Sequence, residues 1–426
     1  MKKLALIALS GLMLFSCAAC GTTTPEEKIG VDIPEGYTAE VGENMFWEPQ
    51  DRVKEGYIEP NARINIYNYC PSIIQTDDTT RYVWYCTNRY TKGFFPSGEG
   101  MDELGDNQIT DYVGFRKGLL GKDGKWYWSP KSYVMGPSRN DPYEGEANCD
   151  PNVIKGEFRY NGTQYGWLMA YLGSNTRDGT MNHICFAVAH SVEGPWLKCE
   201  DINPVVKYEV PADATESHWY HWGYGQASMI NVDKKSEVLM FYSAIRPMSD
   251  NGITATNPFG DSSDWPGTIT VAARYDLSDL NDIKLEFCSR IGVDGIKNTT
   301  GMMVGTITNG DYAYDGANKR LVALTEETVS MLDVSNDAVL GDVFKDYAYN
   351  VWAMSGISWK HVAVVQPENK TVYPNRHNNG LVRDPYGWLV DSKKLDLAIT
   401  GAPKNAANGV DHIWGYRILR KTVTLP

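Results

Sequence analysis

The segment Gln226-Ala-Ser-Met-Ile-Asn-Val-Asp233 runs into a polar turn and re-emerges as Val238-Leu-Met-Phe-Tyr242. Two short apolar runs around an Asp-containing turn predict a β-hairpin. The same figure recurs on both sides of it. Asp150-Pro-Asn-Val-Ile154 leads through Tyr160-Asn-Gly-Thr-Gln164 to Trp167-Leu-Met-Ala-Tyr171, and Cys70-Pro-Ser-Ile-Ile-Gln-Thr-Asp77 leads to Tyr82-Val-Trp-Tyr85. Further on, Thr308-Asn-Gly-Asp-Tyr-Ala-Tyr-Asp315 precedes Leu321-Val-Ala-Leu324, while His377-Asn-Asn-Gly-Leu-Val-Arg-Asp384 turns at Pro385-Tyr-Gly387 into Trp388-Leu-Val390. The five openings, Cys70, Asp150, Gln226, Thr308 and His377, are spaced by 69 to 82 residues. Most units add a third strand: Ile184-Cys-Phe-Ala-Val-Ala189, Ile269-Thr-Val-Ala-Ala273 and Ile413-Trp-Gly-Tyr416.

Long helical periodicity is absent. Repeated all-β units of this size predict a five-bladed β-propeller over residues 55–426, its first strands lining one axis. Two unrelated β-sandwiches are the alternative, and they would leave five matching hairpins to coincidence. Ring closure requires a partner for each sheet edge. Ile64-Asn-Ile66 is expected to pair in the last blade beside Trp414 to Leu419.

The 426 residues carry 40 Lys and Arg against 53 Asp and Glu, a net charge of −13. A surface of that sign repels phosphate backbones, so nucleic acid is excluded as a partner. The 13 Trp, 26 Tyr and 11 Phe supply flat rings on which sugars can stack. Met1-Lys2-Lys3 followed by the apolar run Leu4 to Leu14 is a signal-peptide pattern. Leu14 three residues before Cys17 marks Cys17 as a lipidation site, with Cys20 as the second candidate; an ordinary cleaved signal is the alternative. The expected organisation is a leader over residues 1–20, a tether and N-terminal segment over 21–54, and the propeller from 55. Export, with the membrane contacted only through the lipid anchor, follows from it. Six further cysteines, Cys70, Cys86, Cys149, Cys185, Cys199 and Cys288, allow 15 pairings if all are bonded, and their spacing is not that of a zinc site.

Three pieces of the chain carry a family resemblance. They are Asp150-Pro-Asn-Val-Ile, the turn Ala187-Val-Ala-His-Ser-Val-Glu-Gly-Pro-Trp196, and Arg376-His-Asn-Asn-Gly-Leu-Val-Arg-Asp-Pro-Tyr-Gly-Trp-Leu-Val390. Together they resemble the five-bladed propeller glycosidases of glycoside hydrolase family 43 and its relatives. The resemblance implies hydrolysis of O-glycosidic bonds in arabinose-, xylose- or galactose-type glycans. It also implies calcium in the axial channel, with His377 holding the ion or its waters. Glycoside hydrolysis uses two carboxyl groups flanking the scissile bond, about 6.5 to 9.5 Å apart when water attacks directly.

The chain departs from the family where that chemistry sits. Cys70 stands at the opening where relatives have a general base, and Gln226 and Thr308 stand at later openings where carboxylates are expected. Neither an amide nor an alcohol donates a proton as a carboxylic acid does. Asp150, Glu216 and Asp311 are therefore the candidate catalytic carboxylates. Trp219, His221, Trp222, Gln226 and Cys70 are candidate substrate contacts. Glu216 to Trp222 lies in an aromatic segment, Ala214-Thr-Glu-Ser-His-Trp-Tyr-His-Trp-Gly-Tyr224, that suits a sugar subsite. Arg383-Asp384 is expected to form a turn with a local ion pair, and Glu193 to lie in a peripheral turn. Two functions fit these features: a glycoside hydrolase with rearranged acid and base, or a non-catalytic glycan-binding propeller. An oligo- or polysaccharide is the expected partner under both, and the protein is expected to be a monomer.

Overall fold

The computed structural model describes residues 29–46, 53–54, 57–58, 67–88, 111–138, 140–176, 180–210, 222–247, 251–252, 254–261, 266–304, 307–334, 358–405 and 415–426. The fold is all-β, with successive antiparallel strands gathered into meanders. The first meander runs Tyr69–Asp77, Thr80–Asn88 and Asp111–Leu120, with Trp126–Trp128 and Ser132–Met135 both pairing on its outer side. The second is Ala147–Tyr160, Thr163–Ser174, His183–Ala189 and Leu197–Lys198. The third is Ser228–Asn231, Glu237–Pro247, Pro266–Asp276 and Lys284–Arg290. The fourth is Asp311–Asp315, Arg320–Leu324, Thr328–Asp333 and Lys360–Val364. The last is Gly380–Arg383, Lys394–Ala402 and Arg417–Thr424.

The middle strands are buried on both faces, which is why they read as continuous apolar runs rather than alternating ones. His183–Ala189 is buried throughout. Each meander packs on the next. Trp84 and Phe115 of the first meander meet Met169 and Ala187 of the second. Phe186 of the second meets Met240 and Val271 of the third, and Phe241 of the third meets Tyr312 and Leu321 of the fourth. Val322 and Met331 of the fourth meet Leu381 and Leu397 of the last, whose Val382 and Ile418 meet Val83 and Tyr85 of the first. Burying one such side chain contributes about 1.5–3 kcal/mol, so these interfaces dominate the stability of the fold.

A relay of side-chain hydrogen bonds stitches the inner strands together. The N–H of Val153 donates to Ser72 Oγ at 3.2 Å, and that of Met229 to Asn152 Oδ1 at 2.9 Å. The N–H of Tyr312 donates to Ser228 Oγ at 2.9 Å, and that of Leu381 to Asp311 Oδ2 at 2.7 Å. Each acceptor stands one residue before the position equivalent to the donor on the next meander. Gly380 occupies the fifth such place without a side chain, and there the strands join directly: Val382 pairs with Ile73 and Arg383 with Ile74, in parallel.

Several expectations need correcting. In the relay Ser72, Asn152, Ser228, Asp311 and Gly380 are equivalent, so the fourth and fifth openings are Asn309 and Asn378, one residue after Thr308 and His377. Backbone geometry agrees, because Cys70, Asp150, Asn309 and Asn378 all have left-handed φ, from 43° to 54°. The third strand of the last meander is Arg417–Thr424, later than the expected Ile413–Tyr416. Ile64-Asn-Ile66 lies outside the described residues; at the strand edge beside Leu419, Met45 N–H donates to the Ile418 carbonyl and Asn44 bridges Leu419. Within the stretch expected as a tether, residues between 31 and 45 bridge to the first and last meanders, with Thr38–Ala39 pairing against Tyr127 and Trp128. Among the described residues Arg383 makes no turn ion pair with Asp384. Its guanidinium is buried at the centre of the fold, 3.4 Å from Asp311, while Asp384 alone caps the turn through the N–H groups of Tyr386 and Trp388.

Candidate active site

Where the inner strands open, a cavity of about 170 Å³ is lined by Tyr67, Tyr69, Asp111, Cys149, Asp150, Leu172, Asn182, Trp222, Asn309, His377, Asn378 and Tyr416. Its walls are aromatic. Tyr67 and Tyr416 stack with centroids 6.3 Å apart, and His377 lies 5.5 Å from Tyr69 and 5.4 Å from Tyr416. Two carboxyl groups face this space, Asp111 and Asp150.

Asp150 enters on the long strand Ala147–Tyr160, where its left-handed φ of 46° turns the carboxyl toward the cavity end. Oδ2 accepts from Asn378 Nδ2 at 3.3 Å. Oδ1 lies 3.1 Å from Cys149 Sγ and 3.2 Å from Cys86 Sγ. Those two sulfurs are joined in a disulfide, so neither carries a hydrogen and both are contacts rather than donors. Burial pushes the Asp150 carboxyl up to about 6, against the charge of His377 and the hydrogen bonds of Cys70 and Asn378.

Asp111 opens the strand Asp111–Leu120, opposite Asn88. Burial first, and then the charge of Asp150, hold its carboxyl well above the usual carboxylate range, against hydrogen bonds from Tyr67 and Tyr69. Its Oδ1 has no hydrogen-bond partner among the described residues. The two carboxyls therefore interact and titrate as a pair, both raised by burial.

The structure distributes the sequence-derived candidates unevenly. It brings together Asp150, Trp222 and His377 in one cavity. Cys70 lies buried just beneath, its thiol bonded to Asp150 and its ionisation pushed well up by burial. Gln226 is buried and does not itself line the cavity; its N–H donates to the lining residue Asn309 at 3.2 Å, and its Nε2 lies 3.5 Å from the Asn379 carbonyl. Asp311 is elsewhere, at the fold centre, where Ser228 Oγ donates at 2.6 Å and Arg383 pairs with it. It is fully buried among structural partners and does not line the cavity that holds Asp150. Glu193 pairs with Lys117 at 3.0 Å on the exterior, as expected for a peripheral turn. Glu216, Trp219, His221, Cys17 and Cys20 lie outside the described residues.

Asp111, Tyr67, Tyr69, Tyr416 and Asn378 were not singled out in the sequence. For Asn378 a signal existed: Asn tolerates left-handed backbone, and Asn309 and Asn378 stand beside the matching opening of each repeat. For Asp111 the signal was weaker, a lone acid opening a strand whose other charged residues, Arg116 and Lys117, are basic.

Among the described residues no cluster of carboxylates forms a direct calcium site beside His377. Calcium takes six to eight oxygen ligands, whereas the one group of three potential ligands among the described residues is Cys86, Cys149 and Asp150, two of them consumed by the disulfide. His377 Nδ1 faces a single carboxylate, Glu326, at 3.2 Å. Deeper on the axis the Arg383 guanidinium already supplies a positive charge, bonded to the Met229 and Tyr312 carbonyls at 3.2 and 3.0 Å.

No protein-family model and no curated protein matches the chain. Solved structures similar to it include glycoside hydrolases. A family 117 enzyme of the marine bacterium Zobellia galactanivorans aligns at 12% identity over 91% of this chain and 90% of that one, with a TM-score of 0.46. An α-L-arabinofuranosidase of Podospora anserina, solved with cellotriose, aligns at 10% identity over 92% and 97%, with a TM-score of 0.42. The GH43_1 enzyme of Xanthomonas citri, solved with xylotriose, aligns at 12% identity over 86% and 92%, with a TM-score of 0.43. At such identities and scores no residue role carries over from them.

Proposed function

We propose that the chain is a five-bladed propeller that hydrolyses O-glycosidic bonds at the Asp111–Asp150 cavity. What supports five blades is the relay from Ser72 to Asp311, completed by the direct strand join at Gly380. The observation that carries the activity is the pair itself: two carboxyl groups in one aromatic cavity, both pushed upward by burial, the second to about 6. Asp111 donates its proton to the departing glycosidic oxygen. Asp150, ionised, takes the proton of the attacking water on the other face of the sugar.

The tyrosine faces supply stacking surface, and Asn182, Asn309 and Asn378 supply donors and acceptors for hydroxyl groups. A cavity of about 170 Å³ is below the roughly 300–1,000 Å³ typical of larger ligands, which favours a single terminal sugar ring. We also propose that the protein is exported and held at a membrane by lipid on Cys17, or on Cys20. Substituting both cysteines should release it into the soluble fraction, and continued membrane association would contradict lipidation.

The activity is tested with aryl glycosides of arabinose, xylose and galactose, and with the matching oligosaccharides. Turnover by the wild type, lost in Asp150→Asn with glycan affinity retained, supports the hydrolase. Glycan binding without turnover on any of them would assign the cavity to the non-catalytic alternative.

A further inference from the structure

The two carboxyl groups stand on different meanders, and one covalent bond ties those meanders together beside them. Cys86 and Cys149 are linked with Cα atoms 5.1 Å apart. Cys149 immediately precedes Asp150. Cys86 lies two residues from Asn88, the cross-strand partner of Asp111, and is itself opposite Val113. Asp150 N–H also points at Cys86 Sγ, at 2.8 Å. The other four described cysteines are buried free thiols, so this bond alone links the strand beside the acid to the backbone of its partner.

We propose that the Cys86–Cys149 bond is a positioning crosslink for the Asp111–Asp150 pair, so that turnover depends on its being oxidised. The inference rests on the hydrolytic reading of the cavity. Two physical effects make it specific. Displacing a catalytic group by about 1 Å can cost roughly 100-fold in rate, and breaking the bond frees the two strands to move by such an amount. The second effect is chemical. Disulfide sulfurs donate no hydrogen, whereas two thiols at the same places would present weak S–H donors to Asp150 Oδ1. Donors favour the carboxylate, so reduction moves Asp150 titration downward. The other groups facing Asp150 are unchanged by reduction: Asp111, Tyr69 and Cys70 from the first meander, and Asn378 and His377 from the last, the latter paired to Glu326 of the fourth.

Reduction by a dithiol is balanced without any other reactant. One thiolate of dithiothreitol attacks a sulfur of the bond and its second thiol closes the reagent into a cyclic disulfide. Two electrons and two protons pass to Cys86 and Cys149. Cys149 lines the cavity, which gives the reagent a route.

The test compares oxidised, dithiothreitol-reduced and reoxidised wild type with the Cys86→Ser, Cys149→Ser double variant. The expected result is a kcat roughly tenfold or more lower after reduction, with KM nearly constant and the acidic limb of the pH profile moved to lower pH. Reoxidation restores all three, and the double variant does not respond to the reagent. If the double variant shows no cooperative melt, the reduction and reoxidation cycle of the wild type decides. Unchanged kcat and pH profile on reduction, or an equal response of the double variant, would overturn the crosslink while leaving the hydrolase intact. An oxidised wild type that hydrolyses nothing removes the hydrolytic reading, and the crosslink with it.

Discussion

Asn378 donates from Nδ2 to Asp150 Oδ2 at 3.3 Å, and both residues hold left-handed backbones, at φ 43° and 46°. Such conformations cost on the order of 1–3 kcal/mol each in a non-glycine residue and persist only where the surroundings enforce them. Here they aim one residue at the other across 228 positions of sequence.

A glycine at 378 keeps that backbone and deletes the donor. Asn378→Gly is expected to raise the Asp150 pKa further above about 6, moving the acidic limb of the pH–rate profile to higher pH. Asn378→Ala should shift the profile equally and also lower the melting temperature, because alanine dislikes positive φ. Profiles and melts of the two variants together separate the donor from the backbone.

Asp150 is expected to weaken the fold that holds it. Burial raises its folded pKa from 3.8 to about 6, so the native state binds the proton more tightly than the unfolded chain does. Stability from this group is full below the unfolded value and declines as pH rises through about 4 to 6. A displacement of about two units corresponds to about 3 kcal/mol. Asp150→Asn should therefore be more stable than wild type at pH 7, by up to that amount, and the gap should close by about pH 4. Denaturant unfolding at the two pH values measures it.

Gly380 stands where the last meander meets the first, and a Cβ there would overlap the carbonyl oxygen of Pro71. The obstacle is backbone, which cannot swing aside. Gly380→Ala should destabilise by about 1–3 kcal/mol or more and loosen the parallel pairing of Val382 with Ile73. Faster amide exchange at Val382 and Arg383 would report the loss at that join.

Much of the chain path was legible because each repeat pairs a polar opening with an apolar strand and an Asp or Gly turn. Register was misplaced by one residue at Thr308 and His377, where adjacent Asn residues could equally open the strand. The fold centre was less legible. Arg383 precedes an Asp-Pro turn and reads as exposed, yet it lies on a strand buried along its whole length. Asp111 belongs to a third strand, and a search confined to first-strand openings passes over it. The Cys86–Cys149 pairing joins positions 63 residues apart, and spacing carries no preference for it.

The division of labour between the two carboxyls is tested most directly by leaving-group dependence. An aryl glycoside with an acidic phenol departs without a proton, whereas a sugar or alkyl leaving group needs one. Asp111→Asn should lose on the order of 100-fold or more in kcat on an alkyl glycoside or disaccharide and far less on a nitrophenyl glycoside. Asp150→Asn should lose comparably on both. Equal losses for Asp111→Asn on the two substrates, or no loss on either, would contradict Asp111 as the acid of this pair.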